Sequence, residues 1–272
     1  MSIRYNKSFL MSGNDYRVTQ NITLHHPTIR EIMGLSNGVG ADLAYWQCVQ
    51  LLMCDPYSNM VMLDDMGKDF TKTSSFEVFI LQWESFLEEY NSHQAEFDVN
   101  NFHPLDQIRQ ALSFFIVEKH DFELGVYEDG RKCLYDKNND KCQINQEVFE
   151  HIYEWLKTIN KIDYGNRINP ADDNAKRVLI EDTRDEIKRR NRKKKKDDDD
   201  FDYLGNLMSS VSFGGNGVIN PFNIMDCKIY WLFEAMSVDN KKSHANHILD
   251  GIYHGTISSD DITDKSTLDW TK

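Results

Sequence analysis

The stretch Ala175–Asp202 limits the possible folds most. Every residue from Lys188 to Lys196 is basic except Asn191, and Asp197 to Asp200 then reverse the sign. Charges on all sides of such a segment cannot be taken out of water together, so no single core runs through it. Val178, Leu179, Ile180 and Ile187 give it an apolar foothold near its start. The segment therefore reads as a helix docked at its beginning and solvated at its end, self-neutralised by the four aspartates. The expected organisation is an α+β domain over 1–168, a charged helical linker over 169–202 and a small all-α domain over 203–272.

Within the first domain, Tyr16, Val18, Ile22 and Leu24 alternate as short strands around a turn at Thr19–Asn21. Pro27 predicts the first position of a helix that ends near Gly34, and Ala41–Cys54 carries a helical apolar stripe. Val61–Leu63 is expected as a strand with its turn at Asp64–Lys68. Ser74 with Glu77 forms a capping box ahead of the stripe Phe79, Trp83, Phe86 and Leu87. Asn91–Asn101 is polar enough for a loop. His103-Pro104 opens a further helix, and Asn145 caps one built on Val148, Ile152, Trp155, Leu156 and Ile159. Phe115–Val117, Phe122–Tyr127 and Lys132–Tyr135 are expected as strands, the last two joined through Glu128-Asp129-Gly130. Strands gathered in hairpins, instead of alternating with helices, define the class as α+β with antiparallel hairpins. In the last domain, three helices are expected: one on Leu204, Leu207, Met208 and Val211, one on Ile224 to Phe233, and one over Ser243–Tyr253.

The 272 residues carry a formal charge of −13, 40% hydrophobic and 12% aromatic residues, which suits a globular chain. An acidic body repels phosphate, which disfavours general nucleic-acid binding. No apolar run reaches membrane-spanning length, and the start MSIRYNKSF lacks a signal-peptide core. Five cysteines without a CxxC pair fit a reducing compartment.

One constellation matches a metal pattern. Asp136, Asn138, Asp140 and Glu147 occupy the first, third, fifth and twelfth places of a calcium-loop spacing. Lys141 stands where that loop needs glycine, and a strand precedes it where a helix should. A polar turn leading into a helix is the simpler reading. His244, His247, His254 and Asp250 fall near one helical face, but exposed histidines explain them as well as zinc does. Cys133 and Cys142 flank the calcium-like turn and read as small hydrophobes. No GxSxG, P-loop, HExxH or GxGxxG is present, so no enzyme and no cofactor is expected. The basic run, Lys188, Arg189, Arg190, Arg192, Lys193, Lys194, Lys195 and Lys196, together with Trp231 and Phe233, gives the candidate partner contacts. Nucleic acid is the secondary reading of that run.

Asp140-Lys-Cys-Gln-Ile-Asn-Gln-Glu-Val-Phe-Glu-His-Ile, Thr158-Ile-Asn-Lys-Ile and Asn169-Pro-Ala-Asp-Asp-Asn-Ala-Lys-Arg precede the basic helix. With the opening Leu24-His-His-Pro-Thr-Ile-Arg-Glu-Ile, this succession resembles a protein family of tailed bacteriophages and prophages of Gram-positive hosts. Leu207-Met-Ser-Ser-Val-Ser, the stretch Asn220 to Ala235, Gly251-Ile-Tyr-His-Gly and Leu268-Asp-Trp270 resemble its C-terminal part. The likeness implies a tail-morphogenesis protein similar to tail assembly chaperones, which bind the tape-measure protein and keep its apolar helices soluble. It also implies residence in the host cytoplasm. A structural tail or baseplate subunit, retained in the virion tail, is the alternative.

Overall fold

The computed structural model describes residues 3–36, 40–92, 103–165, 169–194, 202–214, 217–258, 262 and 268. The fold is mixed α+β, with helices predominating and two small antiparallel sheets. The chain divides into two compact units, Met1–His26 with Leu43–Phe201, and Pro27–Asp42 with Asp202–Lys272.

Unit 1 begins with α1 (Lys7–Ser12) and the hairpin β1 (Tyr16–Arg17) and β2 (Thr23–Leu24), where the alternating apolar residues predict it. Most of α3 (Ala41–Leu52) follows, then α4 (Met60–Asp65), α5 (Ser75–Ser92) and α6 (Pro104–Phe115). The three-stranded sheet is β3 (Phe122–Val126), β4 (Lys132–Asp136) and β5 (Asn139–Ile144), in that order. α7 (Gln146–Ile159) and α8 (Asp173–Lys194) complete the unit.

The core of unit 1 is built on α7, whose inner stripe of Val148, Phe149, Ile152, Trp155, Leu156 and Ile159 is buried. Asn145 accepts the Val148 N–H and starts the helix in register. Phe149 stacks on Phe79 of α5 at 4.4 Å between ring centroids, and Trp155 meets Tyr5, Tyr16 and His26. The expected capping box at Ser74 and Glu77 is present, and His103 caps α6 ahead of Pro104.

The structure corrects several expectations. Val61–Leu63 lies in a helix, α4: Met60 and Leu63 are buried one helical turn apart, and Gly67 (φ 69°) ends the turn. The Gly67 and Lys68 N–H groups bond to the Asp64 and Leu63 carbonyls, closing a left-handed cap. A three-residue apolar run has no period of its own, which is why it resembles a strand. Phe115 ends α6, and only Ile116 makes a bridge, to Leu24. A strand not expected, β5, occupies the middle of the calcium-like pattern. The expected loop Asn91–Asn101 is helix at Asn91–Ser92, and the remainder lies outside the described residues.

The expected linker helix is docked. Ile180 is buried, the Thr183 hydroxyl donates to Met60 Sδ at 3.5 Å, and Arg184 pairs with Asp64 and Asp65 on α4. Lys176 pairs with Asp69 at 2.8 Å. Val178 and Ile187, counted as foothold residues, are exposed. The helix turns a different line of residues inward, so charged side chains supply much of the docking. Hydrogen bonds from Lys176, then from Thr71, hold the Asp69 carboxyl well below the usual carboxylate range. A lowered folded value means that this contribution is present above the unfolded carboxyl value near pH 4 and is lost as the pH falls below it. Asp69→Asn is therefore expected to loosen α8 at neutral pH. Amide hydrogen exchange should quicken over 176–188 and stay unchanged in α7.

Unit 2 joins two distant stretches. Thr28 caps α2 (Ile29–Met33), with Glu31 returning the capping box. Pro27 thus lies outside the helix, one place before its cap, and not at the first helical position. The Ile29 N–H donates to the Cys227 carbonyl and the Ile229 N–H to the Pro27 carbonyl, while Arg30 pairs with Asp226. These bonds explain why 27–42 clusters with the C-terminal residues and not with the expected domain 1–168. The other helices are α9 (Tyr203–Gly214) and α10 (Ile229–Tyr253). The two helices expected over Ile224–Phe233 and Ser243–Tyr253 become a short 3-10 turn at Ile224–Asp226 and one continuous α10. No breaker lies between Phe233 and Ser243, so nothing stops the helix.

No described helix is long and apolar enough to cross a membrane.

Candidate functional site

Among the described residues, one group of side chains could hold a metal ion: His120, Asp136 and Cys142. Register and twist in the sheet bring them together. Asp136 ends β4 at an irregularity in the β4–β5 pairing, the kind of local kink that re-aims a side chain. Cys142 lies on β5, and His120 precedes β3. His120 Nδ1 lies 2.8 Å from Asp136 Oδ2, and its Nε2 lies 2.9 Å from the Asn21 carbonyl oxygen in the β1–β2 turn. Cys142 Sγ is 3.6 Å from the same Nε2. Asp136 Oδ1 also accepts the backbone N–H groups of Asp121 and Asn138.

The order thiol, imidazole, carboxylate is that of an activated nucleophile with its base and orienting group. Two features oppose activation. Cys142 is 1% exposed, and burial, with Asp136 and Glu118 adding to it, pushes its thiol up to about 11. A shielded, protonated thiol is a poor nucleophile. Burial alone raises the Asp136 carboxyl. The His120 hydrogen bond and the N–H groups of Asn138 and Asp121 outweigh it and hold the group below its ordinary value. In this state the cluster is a polar knot tying the β1–β2 turn to the three-stranded sheet.

The calcium-like set is not assembled. Asp136 is buried and Asn138 donates to it, but Asp140 is exposed on the extended β5 and Glu147 is exposed in the first turn of α7. A calcium loop must wrap around its ion, whereas a strand carries its ligands apart. Asp136 belonged to the expected set and Cys142 stood beside it; His120 was missed because no local spacing links it to either. His244, His247 and His254 are exposed, and His254 Nδ1 faces the Asp250 carbonyl. All five cysteines are free and buried.

Of the basic run, Lys188, Arg189, Arg190 and Arg192 are exposed on α8. Lys188 pairs with Asp185 and Arg190 with Glu186, so acidic neighbours on the same helix already screen them. Lys193 and Lys194 close α8, and Lys195 and Lys196 lie outside the described residues. Phe233 is 8% exposed and offers a partner little surface; Trp231 is half-buried.

Among the described residues, clefts open in unit 1. One, of about 350 Å³, lies between α5 and the β3–β4 hairpin and is lined in part by the ion-paired Lys132 and Glu84. Another, of about 490 Å³, is bounded by α3, α4, α5 and α6. Its lining combines the amides Gln47, Gln50, Asn59, Gln82 and Gln107 with Met53, Met62 and Met66, and contains no charged side chain. That is unusual in a chain with 28% charged residues.

No family model, no curated protein and no solved structure matches the chain.

A second uncharged surface lies in unit 2. From Tyr203 to Met225 the sequence has no Asp, Glu, Lys or Arg. Phe213, Val218 and Phe222 are exposed there, Phe222 at 97%.

Proposed function

We propose that the chain is a non-enzymatic bacteriophage tail assembly protein, a chaperone that binds the tape-measure protein while the tail is built. The observation that carries this reading is the ordered set of motifs from Leu24 to Trp270. The geometry supports it through the uncharged cleft of α3–α6. Thioethers adapt to irregular apolar surfaces, and the amides satisfy polar groups at the rim without fixing a charge pattern. Such a cleft suits the apolar face of a partner helix. The exposed Phe213, Val218 and Phe222 give unit 2 a second apolar contact, and two joined contacts raise the effective concentration for one long partner. Work in the host cytoplasm belongs to this reading.

Co-expression with the tape-measure protein encoded in the same phage tests it. The expected result is a soluble complex, weakened at least tenfold (about 1.4 kcal/mol) by Met62→Glu, which places a charge in the cleft. Unchanged solubility of the tape-measure protein and no complex would sink the reading. A structural tail or baseplate subunit is the second reading, favoured by the exposed apolar residues of unit 2. Mass spectrometry of purified particles separates the two, since a chaperone is absent from them and a subunit is present in fixed copy number.

A further inference from the structure

The geometry points to a metal site on the buried His120–Cys142 pair, suited to a thiophilic divalent cation of the zinc class. His120 Nε2, Cys142 Sγ and the Asn21 carbonyl oxygen face one another in a triangle. Nε2 is 2.9 Å from the oxygen and 3.6 Å from the sulfur, and the sulfur is 4.0 Å from the oxygen. A four-coordinate zinc ion holds nitrogen and oxygen at about 2.0–2.2 Å and sulfur at about 2.3 Å, so its ligand atoms stand roughly 3.3–3.8 Å apart. The triangle brackets that spacing, and small opposite shifts of its two outer edges would fit it to the ion.

Zinc would bind the Cys142 sulfur as thiolate, the thiol proton passing to solvent, and the imidazole through Nε2. Asp136 supplies the supporting layer. Its carboxylate receives Nδ1–H at 2.8 Å, the arrangement that orients a metal-bound imidazole and raises its basicity. Asp136 is itself held by the Asn138 and Asp121 N–H groups. The three ligands come from the β1–β2 turn, the approach to β3, and β5, so the ion would cross-link segments far apart in sequence. Because Cys142 is 1% exposed, the ion would be taken up as the chain folds. The inference is independent of the assembly reading.

The test uses the full chain expressed with zinc in the medium, and the same chain refolded with cobalt. About one zinc per chain is expected by elemental analysis. The cobalt form should show a thiolate-to-cobalt charge-transfer band, absent in Cys142→Ser and kept in Cys133→Ser, a change at another buried cysteine of the same sheet. Asp136→Asn keeps the inner ligands and should weaken zinc binding about 10–100-fold. A wild-type chain without zinc and without the band overturns the inference, as does a band that survives Cys142→Ser. If Cys142→Ser does not fold, His120→Gln must abolish the band, and a band that persists in it overturns the inference equally.

Discussion

Trp155→Ala is expected to destabilise unit 1 by about 3–5 kcal/mol, the range for truncating a large aromatic in a packed core. Trp155 is fully buried at the centre of α7, and its indole N–H donates to the His25 carbonyl at 2.9 Å. Around it stand Tyr5, just before α1, Phe9 of α1 and Tyr16 of β1, all within ring-contact distance. Removing the indole leaves a cavity between the N-terminal hairpin and α7 and strands a carbonyl, and the hairpin is too small to collapse into the gap. Urea unfolding followed by circular dichroism measures the loss. Trp155→Phe, which keeps most of the volume, should cost clearly less. Equal losses for the two variants would show that the hydrogen bond, and not the packing, holds the hairpin.

Asp136→Ala is the second large effect, expected at about 3 kcal/mol or more in the presence of a chelator, so that no metal contributes. The carboxylate serves His120 and the backbone N–H groups of Asp121 and Asn138 at once. Alanine leaves all three without that acceptor. Asp136→Asn keeps an oxygen for part of the set and should fall between wild type and alanine. The local sign of the damage is faster hydrogen exchange in the β4–β5 turn. A loss under 1 kcal/mol for alanine would mean that solvent replaces the carboxylate and that the knot adds little to the fold.

The parts legible in the sequence are those set by neighbours along the chain. Ser74 with Glu77, His103-Pro104 and Asn145 mark helix starts because a cap bonds to backbone groups two or three residues on. The stripe of α7 repeats with the helical period, so the buried face was plain. Glu128-Asp129-Gly130 marked the β3–β4 turn, and Gly130 has the left-handed backbone (φ 83°) that such a turn needs. The acidic body, the basic run and the uncharged stretch Tyr203–Met225 are equally properties of composition.

Less regular features misled. Val61–Leu63 lacked enough residues to show a period. Val178 and Ile187 were apolar on a helix whose inward face is chosen by salt bridges from Lys176 and Arg184. Phe233, an expected partner contact, is buried.

By itself, the sequence determined the α+β class, most helix starts and the β1–β2 and β3–β4 hairpins, because each depends on contacts within a few residues. Only the tertiary structure decided that Pro27–Asp42 joins the C-terminal unit, that four helices enclose an uncharged cleft, and that His120 meets Asp136 and Cys142. Those pairings close long loops, and their stability comes from burial and hydrogen bonds between segments whose local patterns carry no mark of one another.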